Sequence, residues 1–161
     1  ITNLFATLSV LENVLLAVAA AAGVGPALLR PMSSYRPLYE RAERLLADWG
    51  LAERRSRQVR HLSYGEQRQL ELVLALAGAP KILLLDEPTA GLSAAETARV
   101  VDMVHSLPRE MTLLMIEHDM DVAFELADGI SVLHQGRIIA EGDSRAIRAD
   151  PRVTEIYLGV E

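Results

Sequence analysis

Apolar positions follow two different rhythms along this chain. Between Leu38 and Trp49 the residues Leu38, Ala42, Leu45, Leu46 and Trp49 recur every three or four positions, the spacing of one helix face. Gly50 then ends the pattern, as a residue free to take the left-handed backbone conformation often does. Ahead of it, Ser9-Val-Leu-Glu12 sets a hydroxyl three residues before a carboxylate. Such a capping box satisfies free backbone donors at a helix start, and it predicts a helix reaching about Ala22. Gly23 to Pro37 reads as loop, and Leu51 to Leu62 as the connection between this helical front and the rest of the chain.

Beyond residue 62 the rhythm changes. Short apolar runs at Lys81 to Leu85, Met111 to Ile116 and Gly129 to His134 predict strands, with helices between them at Ser93 to Ser106 and Met120 to Ala127. Ser93-Ala-Ala-Glu96 is a further capping box. Strands that alternate with helices and are apolar almost throughout predict a parallel sheet buried on both faces, hence an α/β fold. Gln135-Gly136 separates Ile130–His134 from Arg137–Glu141, the pattern of a tight antiparallel hairpin added to that sheet. Short helical segments are predicted around Ser144 to Ala149 and Arg152 to Leu158.

The length, 161 residues, suits one compact domain carrying a smaller lobe. A net charge of -6 and a pI near 5.2 disfavour nucleic-acid binding by phosphate neutralisation. The basic stretch from Arg54 to Arg68 reads as a solvated face. The absence of cysteine excludes disulfides and thiolate metal sites. The uncharged run from Asn13 to Leu29 is shorter than the ~20 residues that span a bilayer, is interrupted by Gly23, Gly25 and Pro26, and reads as core.

Chemistry concentrates at a few places. Ser63-Tyr-Gly-Glu66 caps the helix behind it, Gln67 to Ala77, whose residues Leu70, Leu72, Val73, Leu74, Leu76 and Ala77 predict burial. A buried helix that presents its positive end, a serine hydroxyl and an uncluttered glycine outward suits an anion such as phosphate. Lys81-Ile-Leu-Leu-Leu-Asp-Glu-Pro88 is a strand ending in two carboxylates. Adjacent strand residues point apart, so Asp86 and Glu87 are not equivalent: one can face a metal while the other faces a water. The run Thr112 to Ile116 ends in Glu117-His118-Asp119, at the same carboxyl edge where open α/β sheets bind ligands. An imidazole there can donate to a phosphate oxygen. His61, His105 and His134 read as structural.

In this order and spacing the three elements resemble the ATPase subunit of an ABC transporter. LSYGEQ, Leu62 to Gln67, stands at the position of that family's LSGGQ signature. ILLLDEP matches its Walker B strand, Ala90-Gly91-Leu92-Ser93 its D-loop, and Ile116-Glu-His118 its switch histidine. The resemblance covers the whole chain. It implies an α-helical subdomain over residues 1–62 and the later half of a RecA-like P-loop NTPase core, an α/β fold, over residues 63–161. The pieces LSVLENVLLA, LSYG and IEHDM and the ending DPRVTEIYLG look most like the subfamily that imports branched-chain amino acids. VLHQGRIIAEG is also similar to the urea and amide branch. By this resemblance Ser63 and Gly65 clamp the γ-phosphate of ATP held by a second ATPase subunit. Asp86 holds Mg²⁺ through water, Glu87 activates the attacking water, and His118 contacts the γ-phosphate. The implied partners are a second ATPase subunit, transmembrane permease subunits and, indirectly, a periplasmic substrate-binding protein, at the cytoplasmic face of a bacterial inner membrane.

Two residues depart from the family pattern: Tyr64 replaces the first signature glycine, and Ser93 stands where the D-loop usually has aspartate. A P-loop requires glycine followed by lysine and Ser/Thr, and the one lysine, Lys81, follows Pro80. The chain therefore resembles roughly the last two thirds of such a subunit. It is expected to be inactive alone and to self-associate through apolar surfaces that missing strands would cover. Three rival readings are an ATPase for lipopolysaccharide export, a chromosome-maintenance ATPase, against which the lack of sustained heptads counts, and a non-catalytic interaction module.

Overall fold

The computed structural model describes residues 4–24 and 35–158. Most of the expected loop from Gly23 to Pro37 lies outside them. Helix α1, Val10–Ala21, starts at its capping box: Ser9 Oγ accepts from the Glu12 amide, and Glu12 accepts from the Ser9 amide at 2.7 Å. Helix α2, Arg36–Asp48, begins two residues before the first apolar position, with Pro37 in its first turn, where its missing N–H leaves no bond unmade. Short 3₁₀ turns at Ala52–Arg54 and Val59–His61 lead to α3, Tyr64–Leu76, capped by Ser63. The helix thus takes in Tyr64, Gly65 and Glu66, which the sequence pattern leaves in the cap. Next come β1, Ile82–Asp86; α4, Ala94–His105; β2, Thr112–Ile116; and α5, Met120–Leu126. The chain closes with β3, Ile130–His134; β4, Arg137–Gly142; α6, Ser144–Ala149; and α7, Pro151–Val153, followed by a π-helical turn at Thr154–Leu158.

The strands do not form one sheet. β1 and β2 pair in parallel, Ile82 opposite Thr112 through Asp86 opposite Ile116, while β3 and β4 form a separate antiparallel hairpin. Gln135 and Gly136 both have positive φ, 47° and 75°, as the tight turn requires. Ile139 is the extra residue of a bulge, since Val132 faces Ala140 and Leu133 faces Ile138.

Burial on both faces is not found either. Along β1, Leu83 is buried and Leu85 half-buried, but Ile82 and Leu84 are 61% and 68% exposed; on β2, Leu114 and Ile116 are each 62% exposed. The pleat explains the alternation: one face looks into the helices, and no described element covers the other. The main core gathers Val10, Val14, Leu46, Leu70, Val73 and Val100 from α1 to α4, so α3 is anchored on three helices. A second cluster, Phe124, Val132, Ala140, Ile147 and Val153, joins the hairpin to α5, α6 and α7. Among the described residues no helix is long and apolar enough to cross a membrane.

Candidate functional site

β1 and β2 run side by side and deliver their C-terminal residues to one edge. Asp86 pairs with Ile116 as the last rung, and the Glu87 amide adds one more bond, 2.8 Å to the Ile116 carbonyl. Glu87 makes that bond in a left-handed conformation, φ 45°, which costs a residue with a Cβ about 1–2 kcal/mol. Such strain is held where surrounding structure dictates it. It turns the Glu87 carboxylate toward the next loop, where Oε1 lies 3.4 Å from His118 Nδ1. Both groups are open to solvent, His118 at 66% and Glu87 at 50%. An exposed carboxylate beside an imidazole can accept a proton from a bound water, while the imidazole donates to an anion.

Asp86 is exposed and forms no ion pair among the described residues. Nor do three or more His, Asp or Glu converge there as a metal cage among those residues. A single hard carboxylate fits Mg²⁺, which binds few protein ligands and keeps waters and phosphate oxygens for the rest.

The loop edges are joined by a residue to which the sequence gives no task. Glu117 Oε1 accepts from the Thr89 amide at 3.1 Å and from its hydroxyl at 2.6 Å, and Oε2 accepts from the His118 amide at 3.2 Å. The signal was present, since a carboxylate next to the histidine is visible in Ile116-Glu-His118. Its partner, 28 residues away, was not.

The other group of candidate residues surrounds the start of α3. Ser63 Oγ accepts from the Glu66 amide at 3.2 Å, and Glu66 Oε2 accepts from the Ser63 amide at 2.9 Å. At Ser9 and Ser93 the hydroxyl also donates to the box glutamate, at 2.7 Å in each case. Ser63 forms no such bond among the described residues. The other oxygen of its glutamate is held by Arg54, whose Nε donates to Glu66 Oε1 at 2.7 Å. The Ser63 hydroxyl proton thus has no described acceptor. Burial opposes the charge on Glu66, but the Arg54 hydrogen bond, the Ser63 amide and the charges of Arg54 and Arg57 together keep its carboxyl below the ordinary range.

Gly65 is buried against α4: a Cβ there would come within 2.3 Å of Glu96 Oε1. Glu96 in turn is held below the ordinary carboxylate range by the Ser93 hydroxyl and amide, with help from the Gly65 N–H. Tyr64 reaches the loop before α4, where a Cβ on Gly91 (φ 74°) would lie 3.5 Å from its ring. Arg68 donates to the Tyr64 hydroxyl at 3.1 Å. Leu62 is buried, and its carbonyl accepts from Gln67 Nε2 at 3.2 Å. Ala90 and Leu92 close the turn after β1, their amides donating to the Glu87 and Thr89 carbonyls at 3.2 Å each. Ser93 stands at the N-cap of α4, a position where serine and aspartate serve equally well, so the departure there keeps the helix start.

The structure therefore brings Asp86, Glu87 and His118 to one edge and packs Leu62–Gln67 against Ala90–Ser93. Among the described residues no hydrogen bond or ion pair joins Ser63 or Gly65 to Glu87 or His118.

Comparison with known proteins gives matches along the whole chain. The family model for "ABC transporter" matches residues 2–90, and that for "Branched-chain amino acid ATP-binding cassette transporter" matches residues 137–161. The high-affinity branched-chain amino acid transport ATP-binding protein LivG of Escherichia coli (strain K12) is 38% identical over 165 residues, which cover 98% of this chain and 64% of LivG. The corresponding protein BraF of Pseudomonas aeruginosa is 39% identical over 128 residues, 78% of this chain and 50% of BraF. The crystal structure of the ADP conformation of MJ1267, an ATP-binding cassette of an ABC transporter, superposes with a TM-score of 0.76 at 30% identity, covering 96% of this chain and 64% of that one. The chain thus spans less than two thirds of the length of these relatives.

Proposed function

Given that the chain belongs to the ABC transporter family of ATP-binding proteins, we propose that it carries the hydrolytic edge of one nucleotide site and the signature edge of another. The whole protein, in this reading, is the energy-coupling ATPase of an importer for branched-chain amino acids. The observation that carries the reading is the Glu87–His118 pair, held 3.4 Å apart by a strained backbone at the carboxyl edge of β1 and β2.

The roles are those that the resemblance implies, and the geometry is compatible with them. Glu87, the carboxylate of the strained turn, accepts the proton of the attacking water. His118 donates from its imidazole to a γ-phosphate oxygen and loses that partner on hydrolysis. Asp86 holds Mg²⁺ through water; when bound, the ion neutralises charge that develops on the phosphates. The Ser63 hydroxyl, with the positive end of α3 behind it, faces the γ-phosphate of a nucleotide held by a second ATPase subunit. In this reading residues 1–62 are the helical subdomain that transmits closure to transmembrane permease subunits, and a periplasmic substrate-binding protein supplies the cargo. The assembly sits at the cytoplasmic face of a bacterial inner membrane. The names of LivG and BraF and the match at residues 137–161 support the choice of cargo.

The test is a fluorescent-nucleotide titration with Mg²⁺ of this chain beside a chain extended upstream through a P-loop. Only the longer chain is expected to bind and hydrolyse ATP, and Glu87→Gln in it should retain binding while losing turnover. Tight binding or turnover by the short chain, or full turnover by the Glu87→Gln variant, overturns the assignment.

A further inference from the structure

The β1/β2 ladder ends with the bond from the Glu87 amide to the Ile116 carbonyl, 2.8 Å. Past that rung the two chains turn away from each other, one toward Thr89 and the other toward His118. Besides the Glu87–His118 pair, the Glu117 side chain joins them. Glu117 receives the Thr89 amide (3.1 Å) and hydroxyl (2.6 Å) on Oε1, and the His118 amide (3.2 Å) on Oε2, with the Asp119 amide at a long 3.5 Å. Thr89 is 7% exposed, one of two buried polar side chains among the described residues, the other being Asn13. Its hydroxyl has Glu117 as its partner, so without this carboxylate a buried donor stands unpaired, an arrangement that folded chains avoid. Glu117 itself is met by amide and hydroxyl donors and by no Lys, Arg or His side chain among the described residues. It is tied to loop backbone, not to a charge that could draw it away.

We infer that Glu117 is a positioning residue for the hydrolytic pair: by clamping the loop after β1 to the loop after β2 it sets the Glu87 carboxylate against the His118 imidazole. The consequence for catalysis rests on the proposed ATPase function, whereas the clamp is a property of this chain. Glu117 touches neither water nor phosphate in this role. It acts through the position of its neighbours, where a displacement of about 1 Å is enough to cost roughly 100-fold in rate.

Two arms test it. In this chain, amide hydrogen exchange is followed at Thr89 and His118 in Glu117→Ala and in Thr89→Val, which keeps the shape of threonine but removes the hydroxyl. Both variants should exchange faster at these two amides, by about tenfold or more, while amides of α1 and α3 keep their protection. Unchanged exchange shows that no clamp exists and overturns the inference, whatever the fate of the ATPase reading. In the longer, P-loop-containing chain, Glu117→Ala should lower kcat about 10- to 100-fold with KM for ATP unchanged. Glu117→Gln, which keeps one acceptor oxygen for Thr89, should recover part of it. Combining Thr89→Val with Glu117→Ala should add little to Glu117→Ala alone, because both remove the same contact. If Glu117→Ala does not fold, Thr89→Val carries the test. A kcat within twofold of the parent in Thr89→Val and Glu117→Gln, or a rise in KM as large as the fall in kcat, overturns the positioning role. A parent chain that never hydrolyses ATP refutes the proposed function and leaves the exchange result standing.

Discussion

Leu70 and Leu84 have the same side chain in opposite surroundings, and the difference between them is a quantitative test of the fold. Leu70 is completely buried on α3, within the main cluster of α1 to α4. Truncation to alanine removes its transfer free energy and leaves a cavity that neighbouring helices only partly fill, a loss of about 2–5 kcal/mol. Leu84 is 68% exposed on the open face of β1. With about a third of its surface covered, and full burial of a leucine worth roughly 1.5–3 kcal/mol, Leu84→Ala should cost about 0.5–1 kcal/mol. Urea melts followed by circular dichroism read both, as a shift in midpoint at constant slope. In thermal melts Leu70→Ala should lower Tm by about 5–15 °C, and Leu84→Ala by no more than about 4 °C. Repeating the melts over a tenfold range of protein concentration adds the decisive comparison. If Leu84→Ala becomes costlier as concentration rises, a second copy covers this face, as its apolar character leads us to expect. If Leu84→Ala costs as much as Leu70→Ala at every concentration, the face is buried within the chain itself, and the two-stranded, one-sided sheet is refuted.

Acid titration gives another prediction. The Arg152 guanidinium and amide hold the Asp150 carboxyl down from 3.8 to about 2. A depressed folded value means that the unfolded chain binds more protons between those limits, so this contribution is complete above pH 3.8 and is lost as pH falls toward about 2. Asp150→Asn should flatten the stability profile across that window by lowering the plateau above it, with the slope near neutrality unchanged, as read by pH-dependent urea midpoints. Serine caps provide a matched pair: Ser9→Ala and Ser63→Ala should each cost about 1 kcal/mol of stability, yet only Ser63→Ala should weaken ATP-dependent pairing of the longer chain, measured by light scattering.

Much of this protein is set by nearest neighbours in sequence. Serine and glutamate three residues apart start α1, α3 and α4 because a cap needs only its own first turn. Gln135-Gly136 makes the hairpin because two positive φ angles match strand twist. The motifs at Ser63, Asp86 and His118 are short enough to be visible as strings, and they placed the chain in its family. What the sequence could not decide depends on what lies opposite. Apolar strands predicted burial on both faces and a single sheet, but burial requires a covering layer, and the second face of β1 and β2 has none among the described residues. The bond from Arg54 to Glu66, at the start of α3, joins residues 12 apart. Glu117 and Thr89 meet across 28. The Glu117–Thr89 pair forms because α4 returns the chain and the parallel register brings the two strand ends to one edge, a geometry that exists only once the whole unit has folded.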